Sequence, residues 1–199
     1  MNLPNKLTVT RLVFVPIFFL SYLLRNLNFE SAPIVSTVLM VVCYLVAELS
    51  DLLDGKIARK HNLVTDLGKV LDPFADTLSH LTFFVCFLSF GVMPVWTFVI
   101  IMWREFAILF MRMLIIKQGG KAMPANIFGK SKTVLYAITT LLTIIFITVI
   151  TFSSAVVRGG AFETVLYVLF SLSALASLMS FCIYLKDVMK SKVLSGMTR

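Results

Sequence analysis

The sequence predicts an all-α integral membrane protein with six transmembrane helices. Three observations lead there. Of the 199 residues, 59% are hydrophobic and 14% charged, whereas a soluble domain is about 45–50% apolar and about 25% charged. The apolar residues form six runs, each close to the ~20 residues that a bilayer crossing needs. Basic residues collect in alternate gaps between those runs.

The first run covers 7–24, and the few residues before it, 2–6, are short enough to lie along the interface. Lys6 and Arg11 flank its start, but no small-residue cleavage site follows and further spans do, so a removable signal segment is not expected. The second span is 33–49. The third, 68–90, opens with polar residues, and Gly91 and Pro94 divide it from the fourth, 95–116, which carries Arg104 and Arg112. Gly119, Gly120 and Pro124 precede the fifth, 133–152; Gly159 and Gly160 precede the sixth, 163–185. The whole chain, 1–199, reads as one membrane domain without internal repeats. Cys43, Cys86 and Cys182 lie far apart inside apolar runs and read as small buried hydrophobes.

The net charge of +8 does not point to nucleic acid, because no basic stripe alternates with aromatic residues. It points to topology. Lys6 and Arg11, then Lys56, Arg59, Lys60 and Lys69, then Lys117, Lys121, Lys130 and Lys132, then Lys186, Lys190, Lys192 and Arg199 all fall on one side, fourteen against Arg25 and Arg158 on the other. The rule that basic loops stay inside places both termini in the cytoplasm. The same charges suit anionic lipid headgroups or a phosphorylated substrate.

Five of the six aspartates fall between positions 51 and 76. Asp51 and Asp54 are i and i+3; Asp72 and Asp76 are i and i+4, with Gly68 one turn before. Such spacings share a helix face, so two helices joined by a turn near 61–66 can aim four carboxylates at one place. Together they would repel unless a cation lies among them. Hard divalent ions fit an all-oxygen set, and Mg²⁺ commonly shares its ligands with substrate phosphates. Gly55, Ala58 and Gly68 leave room for a base or diphosphate against the backbone. A solvated acidic cap is the bland alternative, disfavoured because charge beside a span is costly and usually functional.

Asp51, Asp54, Gly55, Ala58 and Arg59, then eight residues, Gly68, three residues, Asp72, three residues and Asp76 resemble the full signature of the CDP-alcohol phosphatidyltransferase family. The resemblance implies that family's six-helix fold, usually as a homodimer, with the site open to the cytoplasm. It implies two divalent ions, Mg²⁺ or Mn²⁺, held by Asp51, Asp54 and Asp72, with Asp76 as a further ligand or as general base on the acceptor hydroxyl. It also implies that Asn5, Thr8, Asp51, Asp54, Gly55, Ala58, Arg59 and Gly68 receive the CDP-linked lipid.

Arg104 and Arg112 are eight apart and share a face of the fourth span. Arg104 has two readings, an ion pair inside the bundle, for example with Glu105, or a phosphate ligand. Arg112, nearer the cytoplasmic end, suits a phosphate through its forked donors. Lys130, Ser131, Lys132 and Thr133 at the mouth of the fifth span add a second phosphate-binding candidate, against the simpler reading of positive-inside anchoring. Arg104-Glu105, Arg112 and the run from Ala125 to Thr133 are similar to the phosphatidylglycerophosphate synthase branch of the family. Two positions depart from its pattern: Thr77 where a lysine is common, and Tyr136 where a glutamine is frequent. His80 reads as a packed interior histidine, with a proton relay as the lesser reading.

The resemblance therefore implies transfer of a phosphatidyl group from CDP-diacylglycerol to glycerol-3-phosphate in a bacterial plasma membrane. Arg112, Lys130, Lys132 and Arg104 would hold the acceptor phosphate. The nearest rivals are the same chemistry with inositol phosphate, serine, or CDP-choline plus diacylglycerol. A rival of another class is an ion or proton transporter, which intramembrane carboxylates would also serve; against it, the acids cluster at one end of their spans and no pair of broken helices is evident. The fifth and sixth spans read as ordinary lipid-facing helices.

Overall fold

The computed structural model describes residues 3–61, 66–117, 127–153 and 159–190, although the side chains of 3, 58–61, 66, 67, 69, 117, 127, 128 and 130 are outside the description. Six helices follow in chain order: α1 Leu3–Leu24, α2 Ala32–His61, α3 Asp66–Phe90, α4 Val95–Lys117, α5 Ile127–Phe152 and α6 Ala161–Lys190. Among the described residues there is no strand. An all-helical answer is what a bilayer requires, because each helix satisfies its own backbone hydrogen bonds.

Five of the helices are long and apolar enough to cross a membrane. α4 has the length, at 23 residues, but carries Arg104, Glu105 and Arg112. Arg104 and Glu105 are buried in the bundle, so the charge is spent on neighbouring helices and the lipid-facing side keeps Trp103, Phe106 and Phe110. Several helices run past the expected spans. α2 continues from its apolar run through Asp51 and Asp54 to His61, and α1 begins at Leu3 with Asn5 buried, so the opening residues belong to the helix rather than to an interfacial segment.

α1 lies against α2 and α3, α5 pairs with α6, and α4 bridges α6 and α3. An aromatic core joins them. Phe18 meets Phe83 at 4.6 Å between ring centroids, and Phe84 meets Tyr136 at 5.3 Å and Phe170 at 5.7 Å. The first pair is tilted and the other two are edge-on, and edge-on ring pairs add about 0.5–1.5 kcal/mol beyond their buried area. α6 presents Ser173, Ala174, Ser177 and Ser180 inward, and small residues allow close approach where lipid gives no hydrophobic drive.

α3 ends at Gly91, whose φ of 86° suits glycine. Its N–H donates to Leu88 and that of Val92 to Phe87, closing the last turn in a Schellman arrangement. Cys43 and Cys86 are buried as expected; Cys182 is exposed, because its side of α6 faces the region where lipid would lie.

Candidate active site

Arg11 organises the aspartates. It is 2% exposed, and its Nη2 lies 2.6 Å from Asp51 Oδ1 and 2.7 Å from Asp54 Oδ2. Two carboxylate oxygens touching one nitrogen are within about 5 Å of each other. The Thr8 hydroxyl, one turn before Arg11, is 3.2 Å from Asp54 Oδ2 and 2.8 Å from Asp72 Oδ1. Like charges 4 Å apart repel by about 4 kcal/mol at an effective dielectric of 20, a large share of the 5–15 kcal/mol that holds a fold together. A cation among these acids offsets much of that repulsion, and the guanidinium supplies it.

The four aspartates do not meet at one point. Asp51, Asp54 and Asp72 surround Arg11 and Thr8, while Asp76 turns to His80, whose Nδ1 is 3.2 Å from Asp76 Oδ1 and 2.8 Å from its carbonyl oxygen. Among the described residues no three His, Cys, Asp or Glu side chains come close enough to share an ion. The donor chemistry nevertheless fits a hard divalent cation: the available ligands are carboxylate oxygens, and the place between Asp51 and Asp54 already holds positive charge. Asn5 and Gly68 are buried and Gly55 is half-buried. The side chains of Ala58 and Arg59 lie outside the described residues.

The basic residues form a mirror of this arrangement. Glu105 is 6% exposed. Its Oε1 accepts from Lys132 Nζ at 2.6 Å, from Arg104 Nη1 at 3.0 Å and from the Tyr136 hydroxyl at 3.2 Å. Arg104 Nη2 also donates to Ser180 Oγ on α6 at 2.9 Å. Both readings of Arg104 therefore apply to its position: it is ion-paired, and it lines a cavity. That cavity, of about 140 Å³, is bounded by Asp76 and Thr77 on one side and by Arg104, Glu105, Arg112, Lys132 and Thr133 on the other. It is about ten times the volume that one water needs. Nε of Arg104 and Nε of Arg112, two of its lining residues, are buried with no hydrogen-bond partner among the described residues, as is Nε of Arg11 beside the acidic cluster. Buried donors left open are rare and invite an acceptor. Lys130 could not be assigned to this wall, since its side chain is outside the described residues.

A second, smaller cavity of about 50 Å³ adjoins Arg11, Glu48, Asp51, Asp76, Ser79 and His80. Asp76 and Thr133 border both cavities, so Asp76 separates the acidic side from the basic one.

Arg11 reads from the sequence as a topology marker and Lys132 as a phosphate ligand or an anchor; the structure buries both in ion pairs. The signal for Arg11 was present, since Asn5, Thr8 and Arg11 recur every third residue along an apolar helix. Tyr136 stands out in the sequence only as a departure from a pattern and Ser177 and Ser180 do not stand out at all, yet α5 and α6 are more than lipid-facing packing, because they carry Lys132, Tyr136 and the serines that fix the basic cluster.

The sequence model for "CDP-alcohol phosphatidyltransferase" matches residues 1–176. A Bacillus subtilis protein named CDP-diacylglycerol–glycerol-3-phosphate 3-phosphatidyltransferase is 37% identical over 138 residues, 66% of this chain and 70% of its own length. A Treponema pallidum protein of the same name is 36% identical over 68% of this chain and 65% of its own. A Streptomyces coelicolor protein named cardiolipin synthase (CMP-forming) is 32% identical over 67% of this chain and 60% of its own. The matched stretch thus spans under two thirds of the last two relatives. With the family model covering all but the end of the sequence, and with every signature position in place, the chain belongs to the CDP-alcohol phosphatidyltransferase family.

Proposed function

We propose that this protein transfers the phosphatidyl group of CDP-diacylglycerol to glycerol-3-phosphate, giving phosphatidylglycerophosphate and CMP in phospholipid biosynthesis. The observation that carries the reading is the place of Asp76, on the wall between the acidic cluster and a cavity lined by Arg104, Arg112 and Lys132. A phosphorylated alcohol seated with its phosphate on the basic residues presents its hydroxyl toward a carboxylate. The B. subtilis and T. pallidum relatives carry the name of that reaction.

Asp51, Asp54 and Asp72, with Asp76, would hold two Mg²⁺ or Mn²⁺ ions. Bound there, such ions would offset the charge of the diphosphate and of the departing CMP oxygen. Asn5, Thr8, Gly55, Ala58, Arg59 and Gly68 would receive the CDP portion, and Arg112, Lys130, Lys132 and Arg104 the acceptor phosphate. Asp76 takes the proton of the acceptor hydroxyl. That oxygen bonds to the lipid-side phosphorus, the bond from this phosphorus to the bridging oxygen breaks, and CMP leaves with the electron pair. Fixed charges and held geometry supply most of the acceleration. The site and both termini face the cytoplasm of a bacterial cell, and the working unit is a homodimer.

The test is CMP release from CDP-diacylglycerol by purified protein with Mg²⁺ or Mn²⁺ and a panel of acceptors: glycerol-3-phosphate, inositol phosphate, serine and phosphatidylglycerol. Release with glycerol-3-phosphate alone is expected. Release only with phosphatidylglycerol would move the assignment toward the activity named for the S. coelicolor relative. No release with any acceptor would remove the reading.

A further inference from the structure

Tyr136 occupies a position where the similar branch frequently has glutamine, and the structure gives the tyrosine ring work that glutamine has no face to perform. The residue is 1% exposed. One side of it is rooted in the aromatic core through Phe84, ring centroids 5.3 Å apart, and Phe84 in turn meets Phe170. The ring of His80, which holds Asp76, packs against it at 5.4 Å. Lys132 Nζ lies 4.5 Å from its centroid, within the ~6 Å reach of a cation–π contact. Its hydroxyl is 3.2 Å from Glu105 Oε1 and 3.1 Å from Ser177 Oγ. One buried side chain therefore touches the partner of the reacting carboxylate and the cation and counter-anion of the acceptor cavity.

We propose that Tyr136 is a positioning and specificity-determining residue that fixes the distance between the acceptor-phosphate cations and Asp76, and so the length of acceptor the site accepts. The inference rests on the reading of Lys132 as an acceptor-phosphate ligand. Three separate contacts define it: the ring on His80 sets the carboxylate side, the ring under Lys132 sets the phosphate side, and the hydroxyl on Glu105 stops the lysine and its counter-anion from moving together. The proposed acceptor carries a phosphate and a hydroxyl separated by three carbons, and a fixed separation would be tuned to that length. An acceptor one carbon shorter misses it, and small errors of placement at a reacting centre are costly.

The experiment compares kcat/KM for glycerol-3-phosphate with kcat/KM for 2-hydroxyethyl phosphate, the shorter homologue, in the full-length protein. Tyr136→Leu removes ring and hydroxyl, and the preference for the longer acceptor is expected to fall by about tenfold. Tyr136→Phe keeps the ring; it should hold the preference while KM for glycerol-3-phosphate rises about three- to tenfold for the lost hydrogen bond, with KM for CDP-diacylglycerol unmoved. A merely structural role would lower activity with both acceptors alike and leave the preference intact, and that result overturns the proposal. If Tyr136→Leu does not fold, an unchanged KM for glycerol-3-phosphate in Tyr136→Phe overturns it as well. Lys132→Gln separates the two levels. An unchanged KM for glycerol-3-phosphate there removes the acceptor-site reading; a raised KM beside an unchanged acceptor preference in the Tyr136 variants removes only the role of Tyr136.

Discussion

The two halves of the site are charge inversions of each other. On the α1–α3 side a buried guanidinium, Arg11, is ringed by Asp51 and Asp54, with Asp72 linked through Thr8. On the α4–α6 side a buried carboxylate, Glu105, is ringed by Arg104, Lys132 and the hydroxyl of Tyr136. Each centre supplies the charge that its ring lacks. The difference lies in exposure. Asp51 is 51% exposed at its side chain, whereas Arg104, Glu105 and Lys132 are all under 10%. The acidic half is a rim, open at Asp51 and Asp72 around a buried Arg11 and Asp54, and the basic half is a network whose Arg104, Glu105 and Lys132 are all buried. On the proposed function, divalent ions and the CDP-lipid would meet at the rim and the acceptor phosphate at the network.

Asp76 belongs to both halves, and changing it should have the largest effect. Asp76→Asn removes the proton acceptor and leaves the other three aspartates; turnover is expected to fall about 10²- to 10⁴-fold while Mn²⁺ binding, followed by electron spin resonance, is largely kept. CMP release at near-normal rate would remove the base assignment. Arg11→Gln tests the exchange of cations at the rim. In EDTA it should cost about 3–5 kcal/mol, the usual penalty for leaving a buried charge unpartnered, and Mg²⁺ or Mn²⁺ should restore much of that. Thermal unfolding in detergent reads it, and an equal loss with and without the ions would show that no cation takes the place of the guanidinium. On the basic half, Arg112→Gln removes a forked donor whose Nε is unsatisfied. Charged hydrogen bonds contribute about 1.5–3 kcal/mol, so KM for glycerol-3-phosphate should rise about ten- to a hundredfold with KM for CDP-diacylglycerol steady. Equal shifts in both would place Arg112 outside the acceptor site.

The halves were unequally legible in the sequence, for a physical reason. The acidic half is written locally: Asp51 and Asp54 lie one turn apart on α2, Asp72 and Asp76 on α3, and helical spacing alone shows that each pair shares a face. The six helices were legible for the same kind of reason, because a bilayer enforces length and apolarity on a crossing, and five of them meet both. Arg11 was legible only in part: its spacing from Asn5 and Thr8 sets it on one face of α1, but a basic residue at the start of an apolar run reads as an interfacial anchor until α2 is known to lie beside α1. The basic half is written across the chain. Glu105, Lys132, Tyr136 and Ser180 come from three helices, and nothing in their spacing brings α4 and α5 to the same carboxylate. The junction of α2 and α3 was legible as well, since the expected turn near 61–66 falls between His61 and Asp66; α2 outruns its apolar stretch because Thr8 and Arg11 of α1 support its polar end.

The smallest effect concerns the hydroxyls that trim each half, and it sharpens the contrast between rim and network. Thr8 stands at the open half, near Asp54, Asp72 and the carbonyl of Pro4. It has one proton for three acceptors, so any one of these bonds is replaceable. Ser180 stands at the closed half, where it accepts from Arg104 Nη2, and Arg104 already carries an unsatisfied Nε. Thr8→Val exchanges a hydroxyl for a methyl of the same shape and should cost no more than about 1 kcal/mol. Ions bound among the aspartates should shrink that cost further, because they take over the charge that the hydroxyl partly offsets. Ser180→Ala should cost about 1–3 kcal/mol, because it leaves a second buried donor on the same guanidinium open, and added Mg²⁺ should change nothing. The decisive measurement is the difference between the two variants in thermal unfolding with and without Mg²⁺. A metal-dependent Ser180→Ala, or a Thr8→Val whose cost is the same in both conditions, would mean that the rim and the network are not energetically separate.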